Sequence, residues 1–435
     1  MRSLLVCLIV LSQPLFAASD LGQKERFNNT SSESYIIKNA RIITMTRSGV
    51  IEKGEILTEG KRIVAVGQNL KAGRSVTVID AKGATVSPGL FDSGTQLGLA
   101  EVRSFAEGKD DRVKGQQLGA GFSVSLALNR HSSLIPMVRK MGVTRAMVVP
   151  VTGTELLAGQ SAIIQLGDKR PFATNEVNAV HLYLREGDRK LAGGSRASAL
   201  DQVINSLREA QRYSSNIKAY QAGKTRDFRQ SEADLKVLSE VLKRAMPLVI
   251  HVDRAADIET VLDELTVFGC RIILAGAREG WKVKTLLSEN NISVLLNVMD
   301  NLPSRFDRLG ARLDNAALLV EAGVTVALMT EDLFTGSRML TQGAGIAVAY
   351  GLAWEDAFRA ITVNPAAIWG IENYGSLESG AIADIVIWDG DPLEVMSAPS
   401  QVMIDGQWLN LTTRQDLLRD RYSDLGNQAI PYGYR

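Results

Sequence analysis

Between residues 35 and 86 the chain runs in short apolar, β-branched stretches broken by Gly and Asn. YIIKNARIITM, GVIEKGEILTEG, KRIVAVG and VTVIDAKGATV each carry about 5 to 8 such residues, the pattern of closely spaced strands. The spacing predicts the first half of a small β-sandwich over residues 35–87. The end of the chain has the same texture, with ADIVIW at 383–388, the turn sequence DGDP, and QVMIDGQWL at 401–409. Residues 371–412 are therefore expected to supply the second half.

The middle reads differently. MGVTRAMVVP (141–150), PLVIHV (247–252), RIILAG (271–276), ISVLLNV (292–298) and VTVALMT (324–330) are continuous apolar runs. Amphipathic stretches lie between them, at 255–268, 282–288 and 318–322. Residues 233–244 place Leu235, Leu238, Val241 and Leu242 on one helical face. Apolar strands alternating with helices point to a parallel sheet covered on both faces. Repeated often enough, that arrangement is a TIM-like (β/α)8 barrel, expected over residues 88–370. VNAVHLYL (177–184) is the best candidate for a third or fourth barrel strand, two elements that the pattern leaves unplaced. In AFRAITVNPAAIWGI, Asn364 is suited to cap a helix, Pro365 to its first position and Gly370 to its end.

At the N-terminus Arg2 precedes a mostly apolar stretch, residues 4–16, and then Ala17, Ala18 and Ser19. This predicts a signal peptide over 1–18, cut near Ala17 or Ala18, and a periplasmic or secreted protein with no transmembrane helix after its removal. Residues 19–34 are polar and read as a flexible lead-in, and 413–435 as a tail. Cleavage would leave Cys270 as the one cysteine, so no internal disulfide is expected. The 435 residues are 45% hydrophobic and 22% charged, with a net charge of +1. That balance suits a soluble globular chain and argues against nucleic acid as a partner. A small-molecule ligand at the barrel mouth is the expected partner. GxSxG, HExxH and CxxC are absent, and GAGF (119–122) and GAGI (343–346) are too short for a phosphate loop.

Residues 86–98, VSPGLFDSGTQLG, resemble the first barrel strand of the amidohydrolase superfamily, whose usual form is PGLIDxHxHLG. Pro88, Gly89, Leu90, Asp92, Leu97 and Gly98 stand in frame, but Gly94 and Gln96 occupy the two histidine positions. SLESGAIADIVIWDGDPLEV is similar to the family's SLEPGKxADLVVxDGDP, and AFRAITVNPAAIWGI to its ALxxxTxNPAxxxGI. GVTRAMVVPVTGTELLAGQSAIIQL resembles the imidazolonepropionase-like group. The resemblance runs from about Tyr35 to Leu409 and implies a barrel with a composite β-sandwich built from both chain ends. It also implies one or two zinc-like ions, held by two first-strand histidines, a fourth-strand acid or modified lysine, one histidine each from the fifth and sixth strands, and an eighth-strand aspartate.

Laid on that pattern, the fifth-strand histidine is His251, the sixth-strand position falls near Ala275, and the eighth-strand acid falls at Glu331 or Asp332. The chain has three histidines, His131, His181 and His251, whereas the full binuclear site takes four. A standard two-ion centre is therefore not expected. Either no cofactor or one atypical zinc-like divalent ion, held by His251 with Glu331 or Asp332 and His181, is consistent with the residues. Glu331 and Asp332 are the candidate acid/base groups, and Gln96 and Ser93 the candidate substrate-binding groups. His131 reads as a surface residue and Asp92 as a brace for the turn after the first strand. Two functions follow from the resemblance: a hydrolase acting on a carbon–nitrogen bond of a small molecule, or an inactive pseudoenzyme serving as a binding or scaffolding module. Homo-oligomerisation is open by analogy alone.

Overall fold

The computed structural model describes residues 33–102, 104–105, 107–115, 118–174, 178–331 and 335–423. The leader, nearly all of the lead-in, Asp332 and the last twelve residues of the tail (424–435) lie outside the described residues. Five strands open the fold: β1 (Ser34–Ile43), β2 (Val50–Glu59), β3 (Arg62–Gly67), β4 (Thr77–Asp80) and β5 (Thr85–Pro88). Ten follow in the middle: β6 (Leu90–Thr95), β7 (Val143–Val148), β8 (Leu157–Gln160), β9 (Ala162–Gln165), β10 (Ala173–Thr174), β11 (Val180–Tyr183), β12 (Leu248–Val252), β13 (Ile272–Gly276), β14 (Ser293–Leu296) and β15 (Val326–Leu328). Three close the chain: β16 (Ile385–Trp388), β17 (Pro399–Ile404) and β18 (Gln407–Trp408).

The two chain ends form one sheet. Its order is β18-β17-β16-β5-β1-β2-β3, with β4 paired to β1. The expected sandwich is thus a single eight-stranded sheet, whose strands share one apolar cluster including Ile37, Ile56, Val86, Ile385 and Met403. The joint is β5 against β16, antiparallel, with Trp388 Nε1 donating to Ser87 Oγ at 2.8 Å.

The middle of the chain is mixed α/β. One sheet runs β10-β9-β7-β6 and the other β15-β14-β13-β12-β11-β8. The runs from β11 to β15 pair in parallel as their apolar sequences require. The expectation of parallel pairing throughout is corrected at β8 and β9, which pair antiparallel with β11 and β7. Only Ser161 separates β8 from β9, so the chain passes there from one sheet directly into the other. Gly94 O accepts from Thr330 N and Glu331 N at 3.1 and 2.7 Å, linking the end of β6 to the segment after β15. Side chains of both sheets meet in one inner cluster, with Phe91, Met147 and Ile163 against Ala179, Val249, Ile273, Leu295 and Ala327.

The helix Glu232–Leu242 buries Leu235, Leu238 and Val241 as its periodicity predicts, and Ser231 caps it by accepting from Asp234 N. The cap expected at Asn364 lies elsewhere. Thr362 precedes the helix Val363–Trp369, and Asn364 sits in its first turn, donating to Val326 O at 2.8 Å. Gly370 ends that helix with φ +71°, as expected.

Arg145 ties β7 to the terminal sheet. Its guanidinium reaches Asp384 at 3.0 Å and Asp405 at 2.6 Å, all three largely buried. Arg145→Met would leave Asp384 without its counter-ion and is expected to cost about 3–5 kcal/mol. The measurement is the urea midpoint, and Arg145→Met with Asp384→Asn should recover part of the loss.

Candidate functional site

Alternation along each strand decides which side chains gather. Val249 lies in the inner cluster, so His251, two residues on, faces the same way. Ala179 does the same for His181 and Tyr183, and Ile273 for Ala275. These residues stand at or near the C-terminal ends of their strands, and the connections that follow bring Arg185, Asp253, Arg278, Asp300 and Glu331 to the same end.

Glu331 is the hub. Its Oε1 lies 3.1 Å from Arg185 Nη1 and 3.5 Å from His251 Nδ1, and its Oε2 lies 3.2 Å from Arg278 Nη2. Burial would raise its pKa, but Arg185, His251 and Arg278 together outweigh that and hold it well below the usual carboxylate range. Its backbone has φ +49°, a left-handed conformation costly for a non-glycine residue. Arg278, 2% exposed, also meets Asp253 at 2.7 Å and Asp300 at 2.9 Å, and Asp300 in turn meets Arg308 at 2.7 Å. Gly276 makes room for this. A Cβ there would lie 2.4 Å from Asp253 Oδ1 and 2.7 Å from Arg278 Nη1.

The histidines sit beneath. His181 Nδ1 and His251 Nε2 are 3.0 Å apart, and both rings are buried. His251 Nδ1, 3.5 Å from Glu331 Oε1, and His181 Nε2 are both buried without a hydrogen-bond partner. Burial pushes His251 down to about 4, against the pull of Glu331, and lowers His181 well below its ordinary value. Tyr183 stacks on His251 with ring centroids 3.8 Å apart and donates its hydroxyl to Pro150 O at 2.7 Å.

Above lies a cavity of about 360 Å³, lined among others by Gln96, Lys109, Arg112, Tyr183, Arg185 and Glu331. His251, His181 and Ser93 do not line it. Ser93 is fully buried with an unpartnered hydroxyl, and His131 is exposed. Asp92 is buried and braces the mouth. Its Oδ1 accepts from Gly94 N and Thr330 N, and its Oδ2 from Thr330 Oγ1 and Ser337 Oγ at 2.5 and 2.6 Å. Burial pushes its carboxyl up to about 6 despite these bonds.

The residues do not fit a two-ion centre. Gly94 and Ala275 offer no donor atom, and a Cβ at 94 would stand 3.2 Å from Met329 Cβ, so Met329 must give way before an imidazole fits. His251 Nε2 is engaged with His181, and both Glu331 oxygens face guanidinium groups. A dication at that carboxylate would meet two positive charges at close range.

The sequence pattern brought His251, His181, Glu331 and Gln96 to this end. It missed Arg185, Arg278 and Tyr183. The signal for them was position, since all three stand at or just past the C-terminal ends of parallel strands, where barrel sites are built.

The histidines carry a pH signature. His251 has a folded pKa near 4 against an ordinary 6.5, so the unfolded chain binds more protons between those values. The contribution of His251 to stability therefore rises with pH across that window, against an opposite contribution from Asp92, whose raised carboxyl favours the acid side. The His251 contribution is on the order of 3 kcal/mol. Urea unfolding of wild type and His251→Asn from pH 4 to 7 should show a less positive slope in the variant.

The sequence profile of the amidohydrolase family matches residues 214–409. An amidohydrolase of Hapsidospora irregularis is 21% identical over 389 residues, which is 81% of this chain; the match spans only 39% of that protein's length. A 5'-deoxyadenosine deaminase of Methanothermobacter thermautotrophicus is 25% identical over 90% of this chain and 96% of its own. An imidazolonepropionase of Alkaliphilus oremlandii is 23% identical over 79% of this chain and 86% of its own. The crystal structure of an amidohydrolase from Thermotoga maritima MSB8 superposes with a TM-score of 0.79 at 24% identity, covering 86% of this chain and 99% of that one. With the frame at 86–98 and the mixed α/β fold that carries it, the family profile over residues 214–409 and these relatives support membership of the amidohydrolase superfamily.

Proposed function

We propose that the chain hydrolyses a carbon–nitrogen bond of a small molecule held in the cavity at the mouth, without the two-ion centre of its superfamily. The observation that carries this reading is the cavity itself, which opens at the C-terminal strand ends and is lined by both Gln96 and Glu331. Closure of the two strand sets into a (β/α)8 barrel is part of the proposal. The seams between β6 and β15 and at Ser161 support it. The relatives named as deaminases and imidazolonepropionase support carbon–nitrogen chemistry. The apolar N-terminus supports export to a periplasm-like compartment.

The chain's own groups would divide the work. Arg185 would hold the carbonyl oxygen as negative charge develops on it. Glu331, 3.1 Å away, would orient the attacking water, and Gln96 would hold the substrate. A second reading has its own observation. Tyr183 covers His251, and two guanidiniums pin Glu331, an arrangement that suits a binding module without turnover.

The test uses protein purified and treated with a chelator, assayed on N-acyl amino acids, cyclic amides and amino-heterocycles. The expected result is turnover that survives chelation and drops by roughly 100-fold or more in Glu331→Gln and Arg185→Met. Turnover that requires added zinc overturns the metal-free mechanism. Retained ligand binding with no turnover on any of the panel overturns hydrolysis and leaves the binding module.

A further inference from the structure

We propose that the cavity recognises a molecule carrying a carboxylate beside a planar amide-like group, with Lys109, Arg112 and Gln96 as the recognising side chains. The inference rests on reading this cavity as the substrate site. It comes from matching each charge on the wall with its partner. The lining carboxylates are Asp111, Asp300 and Glu331, and each is already bound by at least one guanidinium. Asp111 takes Nε and Nη2 of Arg112 at 2.8 and 3.1 Å, Asp300 takes Arg278 and Arg308, and Glu331 takes Arg185 and Arg278. The lining cations are not matched in the same way. Among the described residues Lys109 has no ion pair, and Nη1 of Arg112 has no partner. The lining carries three cations and three carboxylates, so it is balanced by count, but the donors left over, the Lys109 ammonium and Arg112 Nη1, suit an anion.

Gln96 supplies the second element of recognition. It is 7% exposed, lines the cavity and has no hydrogen-bond partner for its amide among the described residues. Its amide opens on the cavity, where a ligand or water meets it. Its carbonyl and NH₂ ask for a donor and an acceptor side by side, which an amide, lactam or urea presents. The basic groups are also held in place. Lys109 bridges to Ala100, Asp110 N donates to Leu99 O at 2.8 Å, and Val151 N donates to Asp111 O at 2.8 Å. A volume of about 360 Å³ limits the ligand to roughly a dozen water volumes, the size of an N-acylated amino acid.

The test is isothermal titration of the full chain with N-acetyl amino acids and with their N-methylamides, which keep the size and lose the charge. The acids are expected to bind at least roughly 10-fold more tightly than the amides, with affinity falling as salt rises. Lys109→Met and Gln96→Ala should each weaken the acids by roughly 10-fold while leaving the melting temperature unchanged. Acids and amides that bind alike, affinity indifferent to Lys109→Met, or no binding by any acid would overturn the inference. The underlying reading fails separately. Hydrolysis of uncharged amides without charge discrimination removes the carboxylate and keeps the hydrolase, whereas acids bound selectively but never cleaved support the carboxylate site and remove the hydrolase.

Discussion

A buried carboxylate must be matched by positive charge, and the end of the molecule that holds the cavity is arranged around that requirement at Glu331. Arg185 comes from the connection after β11 and Arg278 from the one after β13. Arg278 is itself too deeply buried to stand on one partner, so Asp253 and Asp300 complete it, and Arg308 completes Asp300. The chain of pairs runs through the connections of five consecutive strands. No member can be removed without stranding a neighbour, which explains why a left-handed Glu331 and a glycine at 276 are both tolerated.

The same end of the molecule sets a family-like frame beside its own choice of side chains. The backbone of residues 88–98 keeps its place, and Asp92 still fastens the first strand to the last. Around it, positions 94 and 275 carry Gly and Ala, which offer no donor atom. Met329 packs where a residue larger than glycine at 94 would go, and Tyr183 lies flat on the remaining fifth-strand histidine. Positive charge at the mouth is carried by Arg185 and Arg278, both on Glu331.

What the sequence made legible follows from the range of the interactions. Continuous apolar runs such as PLVIHV and RIILAG announce buried parallel strands because burial on both faces is a local demand. β8 escaped notice because LAGQ is short and contains Gly159, whose φ of +123° suits no ordinary strand. His251 and Glu331 could be located by motif position. Their arginine partners could not, since Arg185 and Arg278 are 146 and 53 residues from Glu331 and only the strand order makes them neighbours. Gln96 was visible as a substitution in a known frame, but its free amide is a property of the packed structure.

The pairing of β5 with β16 has a consequence for how the molecule is made. The two strands meet across the whole middle of the chain, with Ser87 opposite Val386. During synthesis the hydrogen-bonding edge of β5 must wait, solvated and open to wrong partners, until the ribosome has released the last part of the chain. Long-range closure of this kind is slow. The strand that leads directly into the mouth is thus among the last to gain its full set of neighbours.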